Sequence, residues 1–311
     1  MDIEQLHNDD APDAVAPGHR AGFVNIVGNP NVGKSTLMNR LVGERMSIIT
    51  AKAQTTRHRI HGIVNTPDMQ IVFSDTPGVL APRYKLQESM LSFSEEALTD
   101  ADVLLYVTDV VETPDKNADF LDKVSRMTVP VLLVINKIDL LEGGNAQLEQ
   151  IIDRWHAMLP KAEIFPMSAQ ENFNVDNLMG RIKELMPLSP PYFGKDALTD
   201  RPARFFVTEI VREKILLCCD KEVPYSAEVI VEKFEEAQRH IHIMAVVYVE
   251  RDSQKAILIG HQGSMMKKIG TLARKDIERF FGKHVQLDVF VKVEKDWRNR
   301  ESKLKTFGYL D

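Results

Sequence analysis

The chain has 311 residues, 44% of them hydrophobic and 27% charged, which is enough to build two domains with buried cores. This composition excludes a largely disordered chain, and the longest apolar runs are far shorter than the ~20 residues of a membrane-spanning helix. The only cysteines, Cys218 and Cys219, are adjacent, which excludes a disulfide framework and a cysteine metal site. A reduced pair of this kind favours a cytoplasmic location.

The net charge of −6 is divided unevenly along the chain. Residues 1–200 contain 18 basic and 28 acidic side chains, whereas residues 201–311 contain 21 basic and 17 acidic ones. Positive charge concentrated near the C-terminus indicates a surface for a polyanion.

Residues 1–19 are predicted to form a disordered tail. Acids and prolines interrupt this segment, and it lacks the apolar stretch of a secretory signal.

Residues 28–35 form a complete phosphate-binding loop, Gly-Asn-Pro-Asn-Val-Gly-Lys-Ser, between an apolar strand-like run and a helix-like run. Its backbone N–H groups and the following helix N-terminus suit a phosphate chain. Lys34 is expected to reach the β- and γ-phosphates and Ser35 to bind Mg²⁺. The predicted phosphate-binding residues are Gly28, Asn29, Pro30, Asn31, Val32, Gly33, Lys34, Ser35 and Thr36.

Three later segments indicate which nucleotide is bound. Asp75 ends an apolar strand and is expected to hold Mg²⁺ through water, while the Gly78 N–H is placed to sense the γ-phosphate. Asp139, in an Asn-Lys-x-Asp sequence, can accept two hydrogen bonds from guanine, which adenine cannot supply. The further predicted GTP-binding residues are Asp75, Thr76, Pro77, Gly78, Asn136, Lys137, Asp139, Ser168 and Ala169.

Apolar strands alternate with helical patterns over residues 20–186, which predicts an α/β domain with a mostly parallel sheet. Three prolines within residues 187–191 end the last helix and predict a stiff linker over residues 187–200.

Residues 201–311 are predicted to form a second, α+β domain with a basic C-terminal tail. We expect a helix over residues 204–219, strands over 225–234, 240–250 and 255–259, a helix over 264–281 and a last strand over 285–294. This order, with Gly260-His-Gln-Gly263 before the second long helix, resembles a KH RNA-binding domain of the prokaryotic type, whose loop clamps an RNA backbone. The predicted RNA-binding residues are Gly260, His261, Gln262, Gly263, Lys267, Lys268, Arg274 and Lys275.

Basic and aromatic residues are mixed near the C-terminus. Phe307 and Tyr309 suit stacking on RNA bases, and packing against the KH sheet explains them equally well.

The combination of Gln54-Thr-Thr-Arg-His58 with a C-terminal KH domain resembles the Era-like GTPases of bacteria over residues 20–311. The resemblance implies a slow GTPase for small ribosomal subunit assembly, whose KH domain binds the 3′ end of small-subunit ribosomal RNA under control of the bound nucleotide. Thr56 matches the switch threonine that binds Mg²⁺ in the GTP state, with Thr55 as a rival. Ser35, Thr56 and Asp75 are therefore the expected metal ligands, and Lys34, Thr56 and Gly78 the expected catalytic residues.

A departure from Ras-type GTPases is shared with this family. Val79 stands where a glutamine would orient the attacking water, so catalysis is expected to depend on loop donors, Mg²⁺ and a monovalent cation. In related potassium-activated GTPases an asparagine matching Asn31 helps bind K⁺, but a role for Asn31 in bracing the loop is equally compatible with the sequence.

The resemblance also defines the expected partners: GTP and GDP, small-subunit ribosomal RNA and a 30S-type subunit. It implies a monomer with peripheral contact at the inner face of the cell membrane, although the sequence contains no amphipathic anchor. The alternative is a GTPase switch whose main partner is a protein or a membrane, with only nonspecific affinity for RNA.

Overall fold

The computed structural model describes residues 17–50, 52, 54–112 and 117–310. Residues 1–16 of the predicted disordered tail lie outside the described residues. Within the described part of the chain, no helix has both the length and the apolar character needed to cross a membrane.

The first domain is a six-stranded sheet between two layers of helices. Its strands have the order β2-β3-β1-β4-β5-β6, and β2 is antiparallel to β3 while the other pairings are parallel. The strands are Arg20–Val27 (β1), Ile60–Thr66 (β2), Met69–Asp75 (β3), Val103–Asp109 (β4), Val131–Asn136 (β5) and Glu163–Pro166 (β6). The helices are Lys34–Val42 (α1), Lys85–Thr99 (α2), Ala118–Ser125 (α3), Gly144–Met158 (α4) and Val175–Leu185 (α5).

Strand β4 is buried on both faces of this sheet. Val103, Leu105 and Val107 join the apolar cluster under α1 and α5, whereas Leu104 and Tyr106 join the cluster under α3 and α4. Side chains of alternate residues point to opposite faces of a strand, so a continuous apolar run is what a central parallel strand requires. The mostly parallel α/β domain is confirmed.

The second domain packs helices against one face of a three-stranded sheet. Strands β7 and β8 are antiparallel, and β8 and β9 are parallel. Its elements are Ala203–Cys218 (α6), Val223–Ser226 (α7), Glu228–Glu236 (β7), His240–Val249 (β8), Asp252–Ile259 (α8), Ser264–Phe281 (α9), His284–Val293 (β9) and Glu301–Thr306 (α10).

The predicted strand over residues 255–259 is wrong, because these residues belong to helix α8. The Gln254 side chain accepts a hydrogen bond from the Arg251 N–H at 3.0 Å, which caps the first turn. Gln254 and Leu258, one helical turn apart, are the buried residues of this helix. A short apolar run does not reveal its periodicity, so the sequence could not separate this helix from a strand.

The proline-rich segment 187–200 lies along strands β2 and β3. The Gln70 side chain accepts hydrogen bonds from the backbone N–H groups of Tyr192 and Phe193 at 2.7 and 2.9 Å. The Ile63 N–H also donates to the Leu198 carbonyl oxygen at 2.8 Å. The segment that precedes the second domain is therefore attached to the first.

The C-terminal aromatic side chains are buried between the two domains. They form an apolar cluster with two residues of α2; its members are Leu86, Met90, Trp297, Leu304, Phe307 and Tyr309. Of the two explanations that the sequence left open, packing describes Phe307 and Tyr309 in this structure, and the packing includes the first domain.

Candidate nucleotide site and nucleic-acid surface

The predicted GTP-binding segments meet at one edge of the six-stranded sheet. Strands β1, β3 and β5 end at Val27, Asp75 and Asn136, and each is followed by one of the motif loops. Parallel strands place their carboxyl ends together, which is where such sheets bind ligands. A single cleft is lined by Lys34, Ser35, Thr56, Gly78 and Lys137, among other residues.

The phosphate-binding loop is held by its own lysine. Lys34 Nζ donates to the carbonyl oxygens of Gly28 and Asn29 at 3.0 and 2.8 Å. Burial lowers the pKa of Lys34 to about 8, against the opposing effect of the Asp75 and Glu112 carboxylates. Helix α1 begins at Lys34, so its free N–H groups and partial positive charge are available to an anion.

Three oxygen-bearing side chains converge beside this loop. Ser35 Oγ lies 2.7 Å from Asp75 Oδ2 and 2.9 Å from Thr56 Oγ1, and Thr56 Oγ1 lies 3.3 Å from Asp75 Oδ2. Asp75 Oδ1 is buried and has no hydrogen-bond partner in the described structure. Burial also raises the pKa of Asp75. A buried carboxylate with an unused oxygen and two hydroxyl groups fits Mg²⁺, which prefers oxygen ligands.

The hydroxyl group of the rival threonine makes different contacts. Thr55 Oγ1 contacts Thr50 Oγ1 at 2.7 Å and donates to the Lys52 carbonyl oxygen at 2.6 Å. The structure therefore brings Thr56, and not Thr55, to Ser35 and Asp75.

Asn136 joins the phosphate-binding loop to the predicted base-binding segments. Its Nδ2 donates to the Val32 carbonyl oxygen, and its Oδ1 accepts from the Ala169 N–H, both at 2.9 Å. Ser168 is buried beside Ala169, whereas Asp139 is exposed. The exposed carboxylate is the member of this group that is free to meet a base.

The segment after Asp75 is attached to the phosphate-binding loop through its backbone. The Val79 N–H donates to the Gly28 carbonyl oxygen at 3.1 Å, and Thr76 Oγ1 donates to the Ile26 carbonyl oxygen at 2.8 Å. Pro77 and Gly78 lie between these two attachments. The Val79 side chain is buried in the apolar cluster of α3 and α4, and it has no polar atom that could hydrogen-bond a water molecule.

Sequence reasoning missed a polar network behind the loop. Glu112 accepts hydrogen bonds from the Asn29 side chain and, at 2.7 Å, from Thr108 Oγ1, and burial raises the pKa of its carboxyl group. Asp109 Oδ2 accepts from Lys137 Nζ at 2.7 Å. The position of Asp109 at the carboxyl end of β4, on the same sheet edge, was a usable signal; no signal pointed to Glu112.

The Gly-x-x-Gly sequence forms a turn between α8 and α9 with exposed side chains. Gly260, Gln262 and Gly263 have φ values of 72°, 50° and 79°, and His261–Gly263 is a single 3-10 turn. His261 and Gln262 are exposed, and helix α9 begins directly after the turn. A left-handed backbone before a helix N-terminus leaves N–H groups open to an anion.

The four basic residues predicted to bind RNA all lie on α9 and are exposed. Lys267 and Lys268 are in the first two turns. Arg274 and Lys275 are two turns further from the loop, and Arg274 pairs with Glu278 at 3.1 Å. The helix therefore presents exposed positive charge near the loop and further from it, and Arg274 is the one of these four residues that pairs with an acidic side chain in the described contacts.

Two family descriptions match the chain: "50S ribosome-binding GTPase" over residues 23–137 and "KH domain" over residues 222–298. A crystal structure of a variant of Aquifex aeolicus Era bound to GDP and AlF4− matches with 38% identity and a TM-score of 0.89. The match covers 94% of this chain and 100% of that one. A crystal structure of Era with MgGDPNP and nucleotides 1506–1542 of 16S ribosomal RNA matches with the same identity, TM-score and coverage.

Proposed function

This chain belongs to the Era family of GTPases, and we propose that it couples GTP binding and hydrolysis to binding of the 3′ end of small-subunit ribosomal RNA. The observation on which this rests is the presence, in one chain, of a complete GTP site and a KH loop, matched over 94% of its length by Era–nucleotide and Era–RNA complexes. Its role is that of an assembly factor for a 30S-type ribosomal subunit.

Each residue of the GTP site has a distinct role in this proposal. Lys34 and the backbone of the phosphate-binding loop bind the phosphates, and Asp139 selects guanine. Ser35, Thr56 and Asp75 are the residues that would hold Mg²⁺, which when bound stabilises the charge that develops on the phosphates. The Gly78 N–H lies in the segment that senses the γ-phosphate.

Intrinsic hydrolysis is slow because the buried Val79 side chain leaves the attacking water without a side-chain partner at that position. Stabilisation of the transition state then depends on donors of the phosphate-binding loop. A monovalent cation, K⁺, near Asn31 supplies further charge; the exposed position of Asn31 and its left-handed φ of 67° at the tip of the loop support this assignment.

The KH domain binds RNA through the Gly260–Gly263 turn and the lysines that follow it. Backbone N–H groups clamp the sugar-phosphate chain, and the exposed side chains add electrostatic attraction. GTP and RNA favour the same conformation in this proposal, so each must raise the affinity of the other by the same factor.

The protein acts as a cytoplasmic monomer that touches the inner face of the membrane peripherally. Reduced cysteines and the family resemblance support this setting.

The test is RNA binding by the full chain in two nucleotide states. A labelled RNA that copies the 3′ end of small-subunit ribosomal RNA is titrated with protein in GDPNP and in GDP, beside a scrambled RNA of equal length. We expect sequence-dependent binding that is tighter with GDPNP.

Equal and weak binding of both RNAs in both nucleotides would contradict the proposal. It would leave a GTPase with only electrostatic affinity for RNA and favour a protein or membrane partner.

A further inference from the structure

The residue after the switch threonine is inserted into the second domain. Arg57 has no exposed surface, and its guanidinium donates only to groups of residues 224–228 among the described contacts. The acceptors are the carbonyl oxygens of Ala227 (2.8 Å), Pro224 (3.1 Å) and Tyr225 (3.1 Å), and the carboxylate of Glu228 (2.9 Å). The guanidinium has five donors in a rigid fork, so four acceptors define both its position and its orientation.

The C-terminal segment closes the same contact from the other side. Tyr309 Oη donates to Glu228 Oε2 at 2.6 Å, the same oxygen that accepts from Arg57. The Tyr309 ring stacks on His58 with centroids 4.3 Å apart and an interplanar angle of 14°. Two separate segments, residues 224–228 and the C-terminal segment, therefore hold Arg57 and its neighbour His58.

The residue before the switch threonine is also held by the second domain. Arg212 of α6 donates to the Thr55 carbonyl oxygen, and Glu209 orients the Arg212 guanidinium through hydrogen bonds of 2.8 and 2.6 Å. Thr56 thus lies between two residues that the second domain holds, while its own hydroxyl meets Ser35 and Asp75 in the first domain.

A buried ion pair is weak evidence for stability, because desolvation offsets most of the attraction between the charges. It is better suited to specifying one arrangement, since any displacement leaves a buried charge without its partners. Displacement of Thr56 from Ser35 and Asp75 would pull Arg57 from its buried partners and would break the hydrogen bond from Arg212 to the Thr55 carbonyl oxygen, while Arg212 keeps its pairing with Glu209.

We propose that Arg57 and Arg212 are positioning residues for the GTP site, through which the second domain holds Thr56 where the GTP state needs it. This inference rests on the proposed GTPase function and deepens it. The preference of the first domain for GTP over GDP then depends on residues of the KH domain and the C-terminal segment. A ligand that displaces residues 224–228 changes that preference.

The test compares nucleotide affinities of full-length variants in the presence of Mg²⁺. In Arg57→Gln we expect the affinity for GDPNP to fall about tenfold and that for GDP to change less than about twofold. A merely structural role would lower both affinities together, so the ratio of the two dissociation constants separates positioning from stability.

The matched control is Lys85→Gln. Lys85 Nζ pairs with Glu301 at 2.6 Å and joins the same two domains, but it is exposed and does not touch the switch residues. We expect this variant to keep the ratio of the original chain.

Tyr309→Phe keeps the ring on His58 and removes only the hydroxyl group. This variant provides a second test of the inference if Arg57→Gln fails to fold. We expect a change of about threefold in the same ratio. An unchanged ratio of the two dissociation constants in the folded variants, or an equal change of that ratio in Lys85→Gln, would overturn the inference. In either case, variants that still bind GDP would leave the proposed function intact. Failure of the original chain to bind either nucleotide would overturn both.

Discussion

The phosphate-binding loop and the KH loop both place glycines before a helix, but they differ in what surrounds them. Lys34, Asp75 and Asn136 are buried and hydrogen-bonded to each other's segments, so the nucleotide site is assembled by the fold. His261 and Lys267 are exposed. The geometry of the nucleotide site depends on each buried side chain. The KH loop depends on its backbone for geometry, and each exposed basic side chain adds a small electrostatic contribution to RNA binding.

The largest expected effect comes from the buried site. Lys34→Ala removes the ammonium group that is expected to bind the phosphates, together with its hydrogen bonds to the Gly28 and Asn29 carbonyl oxygens. We expect GTP affinity to fall at least about 100-fold, as for loss of one partner of a buried charge pair. Titration with a fluorescent GTP analogue measures it, and RNA affinity without nucleotide is the control. A loss below tenfold would contradict the contrast between the two regions.

An intermediate effect is expected from the backbone of the KH loop. A methyl group on Gly260 would lie 2.7 Å from Met265 Cβ and 2.8 Å from Met265 N, whereas one on Gly263 meets no atom within 4 Å. Gly263→Ala should therefore lower the free energy of unfolding by about 1 kcal/mol, the penalty for a left-handed alanine. Gly260→Ala should lower it by about 2–3 kcal/mol, because the start of α9 must also move.

Thermal unfolding and RNA titration of both variants test this difference. We expect Gly260→Ala to weaken RNA binding about tenfold and Gly263→Ala a few-fold at most. Equal losses in the two variants would show that crowding by Met265 does not shape the loop.

The smallest effects are expected from the exposed cations. Lys267→Gln and Lys268→Gln should each weaken RNA binding a few-fold and lower the slope of log affinity against log salt by about 1. Arg274→Gln should do less, because Arg274 is further from the loop and already paired with Glu278. RNA titrations across a salt series measure these slopes; a larger loss in Arg274→Gln than in Lys267→Gln would reverse the expected gradient.

The sequence predicted the elements whose signals are local and long. Helix α9 was predicted over residues 264–281, the bounds that it has in the structure, because its helical pattern follows a glycine turn and ends before Gly282. The motif loops were predicted at strand ends because each follows an apolar run. Helix α8 was missed, since eight residues with a brief apolar run fit a strand equally well.

The sequence by itself determined the chemistry of the nucleotide site, because a phosphate-binding loop and a guanine-binding motif are short segments with their own geometry. It also determined that two domains follow one another. Only the tertiary structure decided what holds Thr56: Arg57 and Glu228 are 171 positions apart, and Tyr309 reaches the same carboxylate from the C-terminus. No periodicity or spacing connects residues at that separation, because their contact exists only after both domains have folded and packed together.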